Sequence, residues 1–406
     1  MLNRILCRGI SFWKDVPQGP PDPILGIAEA FKRDPSSSKI NLSVGAYRDD
    51  AGKPWVLPSV QEAKNILIKS NLDHEYAPIE GIESFRTAAA KLAYGDHAGP
   101  HVACLQSLSG TGSVRLGMAF LQRFYPQSRK VLIPKPTWGN HKNIVKDAGL
   151  EWSEYAYFDP STNGLNYQGM MADLERAEKG TIILLHSCAH NPTGVDLKNH
   201  EWDAVLELFK KKEFLAFFDS AYQGFASGDI VKDSYGLRKF AGSSVPVMLA
   251  QSFAKNFGLY GERVGQFSLI CESPDEATRV TSQLKMLARA IYSNPPIYGA
   301  RIVSTVLNTP DLYQQWLQDI KTMADRIILM RSELVKNLKD NGSKRDWKHI
   351  TDQIGMFAFT GLDKNQSQEL MDKHHIYLTL DGRISLAGLN SSNVSTVAKA
   401  IYSVAG

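Results

Sequence analysis

The sequence predicts an α/β fold, with a large, doubly wound, mostly parallel sheet domain and a second, smaller α/β domain. Three observations carry that prediction. Short apolar runs recur at residues 102–108, 131–133, 181–185, 214–218 and 245–250, with stretches of helical period between them. Continuous apolar strands separated by helices imply a parallel sheet covered on both faces. The chain has 406 residues, more than one typical domain of about 100–200, and its 43% hydrophobic content is ample for a large core.

Composition narrows the function classes. A net charge of +4 with 22% charged residues leaves no basic stripe for nucleic acid. No apolar run of about 18 residues or more is present, so no membrane span is expected. Cys7, Cys104, Cys188 and Cys271 are scattered without metal or redox spacing and read as reduced thiols; no metal site is expected.

Residues 1–12 carry Arg4 and Arg8 without an acid, and Leu2, Ile5, Leu6 and Ile10 fall at helical spacing. That is either a short mitochondrial transit segment or a frayed terminus. Gln18-Gly19-Pro20-Pro21-Asp22-Pro23 is a stiff extended stretch that can reach another surface. An amphipathic helix is expected over 24–32, and Gly45, in a strand or loop over 41–48, permits close approach to a ligand. Residues 60–95 are helical by period, broken by a loop near Tyr76.

The strand at 102–108 runs into Ser109-Gly110-Thr111-Gly112, and a helix is expected over 113–124. Strand, glycine loop and helix point backbone N–H groups and a helix dipole at a phosphate. The strand at 131–133 leads to Thr137-Trp138-Gly139-Asn140-His141; no acid there holds a ribose hydroxyl, which argues against a nicotinamide dinucleotide. Trp138 either stacks on a flat ring or belongs to the core. The run at 181–185 leads to His186 and Asn191, and the run at 214–218 to Asp219 and Tyr222. Ligands of such sheets bind beyond the carboxyl ends of the strands, so these polar groups converge.

Ser252-Phe253-Ala254-Lys255 follows the run at 245–250. A lysine among Phe253, Ala254 and Phe257 is either a structural loop lysine or a desolvated amine, neutral and nucleophilic near pH 7, as a Schiff base needs. Ser252 and Arg263 flank it with groups suited to a phosphate. Asp219 either caps a helix, meets an arginine, or holds a proton on a ring nitrogen, as enzymes using pyridoxal phosphate require. Residues 311–341 read as one long helix, and strands are expected at 355–359, 376–379 and 383–387. Arg289 and Arg383 are either surface ion pairs or anion binders.

These residues together resemble the class I, fold-type I pyridoxal-phosphate aminotransferases. The motifs are Ser252-Phe253-Ala254-Lys255 with Arg263, His190-Asn191-Pro192-Thr193-Gly194, and Asp219-Ser220-Ala221-Tyr222. Further matches, such as Lys135-Pro136-Thr137-Trp138-Gly139-Asn140-His141, extend the resemblance over nearly the whole chain, and the Pro20-Pro21-Asp22-Pro23 stretch is similar to that of mitochondrial members. The resemblance implies reversible transfer of an amino group between L-aspartate and 2-oxoglutarate, giving oxaloacetate and L-glutamate.

It implies roles as well. Lys255 would form the Schiff base with pyridoxal phosphate and shuttle a proton. Asp219 would pair with the pyridine nitrogen, Tyr222 and Asn191 would bond the ring oxygen, and Trp138 would stack on the ring near His141 and His186. Ser109, Gly110, Thr111, Ser252 and Arg263 would hold the phosphate, with Tyr76 reaching it from the neighbouring subunit. Arg383 would bind the substrate α-carboxylate, Arg289 of the other subunit the side-chain carboxylate, and Gly45 would adjoin the substrate. A homodimer with shared sites follows, located in the mitochondrial matrix, with the cytoplasm as the alternative. The expected domains are an arm and part of the small domain at 1–51, the large domain at 52–312, and the rest of the small domain at 313–406.

Three departures from the family pattern stand out: Ser43 in place of glycine, Ala290 in place of proline, and a short segment between Tyr94 and Val102. The resemblance leaves open a different reaction on the same Schiff base, and a weak paralogue acting as a binding protein. The arginine pair weighs against the first, and the intact Lys255, Asp219 and Tyr222 against the second.

Overall fold

The computed structural model describes residues 12–19 and 23–406. The basic start at residues 1–11, with Cys7, and the Pro20-Pro21-Asp22 stretch lie outside the described residues. A seven-stranded sheet forms the centre: β1 (Val102–Leu108), β2 (Lys130–Lys135), β3 (Glu151–Ala156), β4 (Ile182–His186), β5 (Leu215–Ser220), β6 (Val247–Ser252) and β7 (Val264–Ile270). Their order across the sheet is β1-β7-β6-β5-β4-β2-β3. The β2–β3, β2–β4, β4–β5 and β5–β6 ladders are parallel. Only β7 is reversed, antiparallel to both β1 and β6.

Side chains alternate across this sheet as strand geometry requires. Ile182 and Leu184 enter one core, with Phe217, Met248 and Phe267, while Ile183 and Leu185 enter another, with Phe218 and Leu249. Both faces are covered, which is why these strands read as unbroken apolar runs. β3 was not expected. Its Glu151, Trp152, Ser153 and Glu154 are exposed or half-buried, because it is an edge strand, and no apolar run marks it.

The helix expected at 113–124 begins earlier, at Ser109. Ser109 takes a φ of 60°, turning the chain from β1 directly into helix, so the glycine stretch is the first helical turn. Bare Cα atoms are needed further along too. A Cβ on Gly117 would lie 2.4 Å from Cε2 of Phe217 and 2.7 Å from Cε2 of Phe267, so the helix rests on the sheet.

The long helix Pro310–Asp340 has 31 residues, about 46 Å at the α-helical rise. Trp316 on it donates to the Asn256 carbonyl at 2.8 Å and stacks on Phe257 at 4.8 Å between centroids, fixing the floor beneath Lys255. The amino-terminal strand Ile40–Asn41 pairs in parallel with Ile376–Tyr377. Phe357–Phe359 pairs antiparallel with Arg383–Ser385. Among the described residues, no helix is long and apolar enough to cross a membrane.

Candidate active site

The carboxyl ends of β1, β6, β5, β4 and β2 share one edge of the sheet, and a cavity opens over them. Each strand contributes to its lining: Ser109, Gly110 and Thr111 after β1, Ser252 and Lys255 from β6, and Asp219 and Tyr222 from β5. His186, Cys188 and Asn191 come from the end of β4, and Trp138 follows β2. Arg263 joins them because β7 is reversed. Val264 pairs with Leu108, and Gly265 pairs with Ser252, so Arg263 enters the sheet between the two serine ends. Run the other way, this seven-residue strand would carry Arg263 to the opposite edge, about 23 Å off.

One end of the cavity is an anion cradle. The helix Ser109–Phe124 points its first turn into it, with free N–H groups and the positive end of the dipole. Ser109 Oγ and Ser252 Oγ are hydrogen-bonded at 3.0 Å, which leaves one of the two hydroxyl protons for an anion. A Cβ on Gly110 would come 3.2 Å from that of Ser252, so a side chain there would press on the serine. Arg263 is exposed, its Nη1 donating to the Tyr260 carbonyl at 3.1 Å.

Asp219 stands at the other end. His141 Nε2 donates to its Oδ2 at 3.0 Å. Behind it runs an ordered chain. The Asn191 N–H donates to His186 Nδ1 at 3.1 Å, so the neutral ring carries its proton on Nε2, which donates to Thr137 Oγ1 at 3.3 Å. The Thr137 hydroxyl keeps its own proton for His141 Nδ1, at 2.8 Å. Burial and the neighbouring His141 pull the His186 imidazolium down to about 3, against the pull of Asp219. Burial pushes the Asp219 carboxyl up, but the hydrogen bond from His141 leads the opposing pull, and the group stays below its ordinary value.

The Lys255 amine has no hydrogen bond or ion pair among the described residues, and its Nζ lies 5.5 Å from the centroid of the Tyr222 ring. Burial, reinforced by Arg263 and opposed by Asp219, pulls its ammonium form below the usual lysine range. Burial also pushes the Tyr222 phenol up, so it stays protonated and a donor. Asn191 presents a buried side-chain oxygen with no partner. An unpaired amine and an anion cradle leave polar groups that a bound phosphate-bearing carbonyl compound would satisfy.

The remaining expected residues are placed differently. Arg383 is 5% exposed, not a surface ion pair. Its Nη2 donates to the Ser43 carbonyl at 3.1 Å, and its guanidinium lies 4.2 Å over the Phe357 ring. Gly45 abuts the same ring, where a Cβ would come within 2.7 Å of Cζ. Tyr76 is 81% exposed and lines no part of this cavity, and Arg289 is exposed and bonded to Ser293 and Asn294. Those two share one surface, since Asn294 also donates to the Ala77 carbonyl at 2.7 Å. Ser43 is buried, its N–H and hydroxyl both donating to Asn41 Oδ1. Thr137 was not singled out from sequence. Its bond to His186 joins residues 49 apart, and no local pattern marks that.

Fold and cavity are those of an α/β protein with an unpaired lysine beside an anion cradle on one sheet edge. The family model for aminotransferase class I and II matches residues 37–401. A relative from Gallus gallus, named mitochondrial aspartate aminotransferase, is 54% identical over 98% of this chain and 95% of its own. The cytoplasmic aspartate aminotransferase of Saccharomyces cerevisiae has a similar structure, with a TM-score of 0.93 and 43% identity over 97% of this chain and 98% of that one. An aromatic-amino-acid aminotransferase of Burkholderia pseudomallei, covalently bound to pyridoxal phosphate, has a TM-score of 0.95 and 42% identity, covering 98% of this chain and 100% of its own. The chain belongs to the aminotransferase class I and II family.

Proposed function

We propose that this protein is a pyridoxal-phosphate-dependent aspartate aminotransferase, moving an amino group reversibly between L-aspartate and 2-oxoglutarate to give oxaloacetate and L-glutamate. The observation that carries the chemistry is the unpaired Lys255 amine between an anion cradle and the Asp219 carboxylate in one cavity. The substrate assignment is supported by the 54% identity with a protein of that name over nearly the full length of both chains. Bound there, pyridoxal phosphate would supply an aldehyde that bonds amines and a ring that takes up the electron pair left at a substrate carbon losing its proton.

The chain's own groups would do the rest. Ser109, Gly110, Thr111, Ser252 and Arg263 bind the phosphate. Asp219, held ionised by His141, keeps a proton on the ring nitrogen. Trp138 covers the ring face, and Asn191 and Tyr222 bond the ring oxygen. Lys255 Nζ, with its ammonium form disfavoured, would take the substrate Cα proton and deliver it to the former aldehyde carbon of the cofactor, two bonds away. Arg383 is a preformed fork for the α-carboxylate, beside Gly45.

A homodimer completes this reading. Tyr76 and Arg289 lie on one surface with the exposed apolar side chains Leu72, Ile291 and Tyr298, and Arg301 donates to the Asp73 carbonyl there. Such a patch, with its two functional groups facing away from their own cavity, fits a second copy whose site they finish. We place the enzyme in the mitochondrial matrix, supported by the basic, acid-free start of the sequence. The pairing of 40–41 with 376–377 supports a small domain made of residues 1–51 and 313–406 around a large one at 52–312.

The test is kcat/KM for aspartate, alanine and phenylalanine with 2-oxoglutarate as acceptor. An unpaired second arginine is costly, so aspartate is expected to lead by roughly 10³-fold or more. Equal use of phenylalanine and aspartate would overturn the substrate assignment.

A further inference from the structure

Arg331 sits inside the long helix Pro310–Asp340 at 2% exposure, with no carboxylate partner among the described residues. Burial pulls its guanidinium down to about 9, so it remains a cation at neutral pH. Three backbone carbonyls hold it instead: Nη1 donates to Ile350 at 2.8 Å, and Nη2 donates to Gly355 at 2.7 Å and Phe357 at 2.6 Å. A buried charge of this kind is costly, and an apolar residue of similar volume commonly serves stability better. The carbonyls it gathers explain its place.

They belong to one segment that touches every part of the carboxylate end. The Phe357 ring carries the Arg383 guanidinium on its face and closes against Gly45. The Ile354 N–H donates to the Gly194 carbonyl at 2.7 Å, bracing the turn that presents Asn191. A Cβ on Gly194 would lie 2.8 Å from the Ile354 and Phe357 carbonyls, and one on Gly355 would lie 2.4 Å from Ala189 Cβ. Arg331 therefore fixes by its fork the stretch of backbone from 353 to 356, which lies between the helix Lys348–Asp352 and the strand Phe357–Phe359 and belongs to neither.

We propose that Arg331 is a positioning residue for substrate carboxylate binding, acting through Phe357 on Arg383 and through the 354–355 backbone on the Asn191 turn. The inference rests on the reading of Arg383 as the α-carboxylate fork. A displacement near 1 Å at such a fork costs up to about 100-fold.

The experiment uses the cofactor-loaded protein with Arg331→Lys, Arg331→Gln and, separately, Phe357→Leu. Succinate, a dicarboxylate that carries no amino group to transfer, reports binding alone. The Arg331 variants are expected to raise the succinate Kd and the KM values of aspartate and alanine together, by about tenfold or more, with kcat changing far less. Alanine must shift too, because it lacks the second carboxylate and depends on Arg383. Phe357→Leu, which leaves the Arg331 bonds to the backbone intact, is expected to reproduce the effect. If the folded Arg331 variants lose thermal stability while Kd and KM stay within about twofold, Arg331 is only a structural clamp and the proposal fails. Unchanged constants in Phe357→Leu remove the route through Arg383 and overturn it as well, even where an Arg331 variant does not fold. A native protein that neither binds succinate nor uses aspartate would instead sink the functional reading itself.

Discussion

His186 shows how one half-buried ring sets the behaviour of the Asp219 carboxyl beside it without a hydrogen bond to it. Its single proton is committed to Thr137, and that hydroxyl's proton to His141, so His141 meets Asp219 as a donor. The arrangement works only while His186 is neutral, which its value of about 3 ensures. An unfolded histidine titrates near 6.5. Between those values the unfolded chain binds a proton that the folded one refuses, so this contribution to stability is present above pH 6.5 and lost on acidification. The slope is at most about 1.4 kcal/mol per pH unit. Asp196, pushed up to about 6 by burial, and Asp233, pushed up to about 7, carry the opposite sign, but they are common to both proteins in a paired comparison. Native protein is therefore expected to lose melting temperature more steeply than His186→Gln between pH 6.5 and pH 4.5. Parallel curves across that range would show that the ring already titrates as it does in the unfolded chain.

At the scale of elements, the helix Ser109–Phe124 owes its position to what it lacks. Gly117→Ala gains about 1 kcal/mol of helix propensity. It also drives a methyl group to 2.4 Å from the buried Phe217 ring, and overpacking of that kind costs about 1–3 kcal/mol. The steric term is the larger, so the variant is expected to unfold at lower denaturant concentration and to bind the cofactor more weakly, because the helix carries the cradle on its first turn. A variant as stable as the native protein would mean the rings shift freely. The same elements show what could be read beforehand. Strands β1, β4, β5 and β6 are legible because both faces are buried, and the polar groups that line the cavity are legible because they follow at the carboxyl ends. β3 is not, since an edge strand half in solvent carries no apolar run. The start of the helix at Ser109 is also hidden, because it turns on a positive φ at a serine, a conformation glycine would have signalled. Arg331 escapes sequence reading altogether. A single arginine within an amphipathic helix reads as solvated, and only its three carbonyl partners place it at the carboxylate end.

For the molecule as a whole, Tyr76 and Arg289 set the expectation. Each is exposed, and neither lines the cavity of its own chain. Mixing Lys255→Ala chains with Tyr76→Phe/Arg289→Ala chains is expected to restore activity, since one site in each hybrid then has a native lysine and native groups from its neighbour. Sedimentation of a fully active monomer would rule this out. Assembly also has an order in time. The hairpin of β6 and β7 is local in sequence, whereas β1 must cross a long stretch of chain to dock on β7; Ser109 and Ser252 are 143 residues apart. Closing so long a loop is slow relative to forming the hairpin. Until β1 docks, β7 is an open edge and the serine pair does not exist. The anion cradle therefore exists only once β1 has docked on β7, and a ligand that fills it holds that seam shut by mass action.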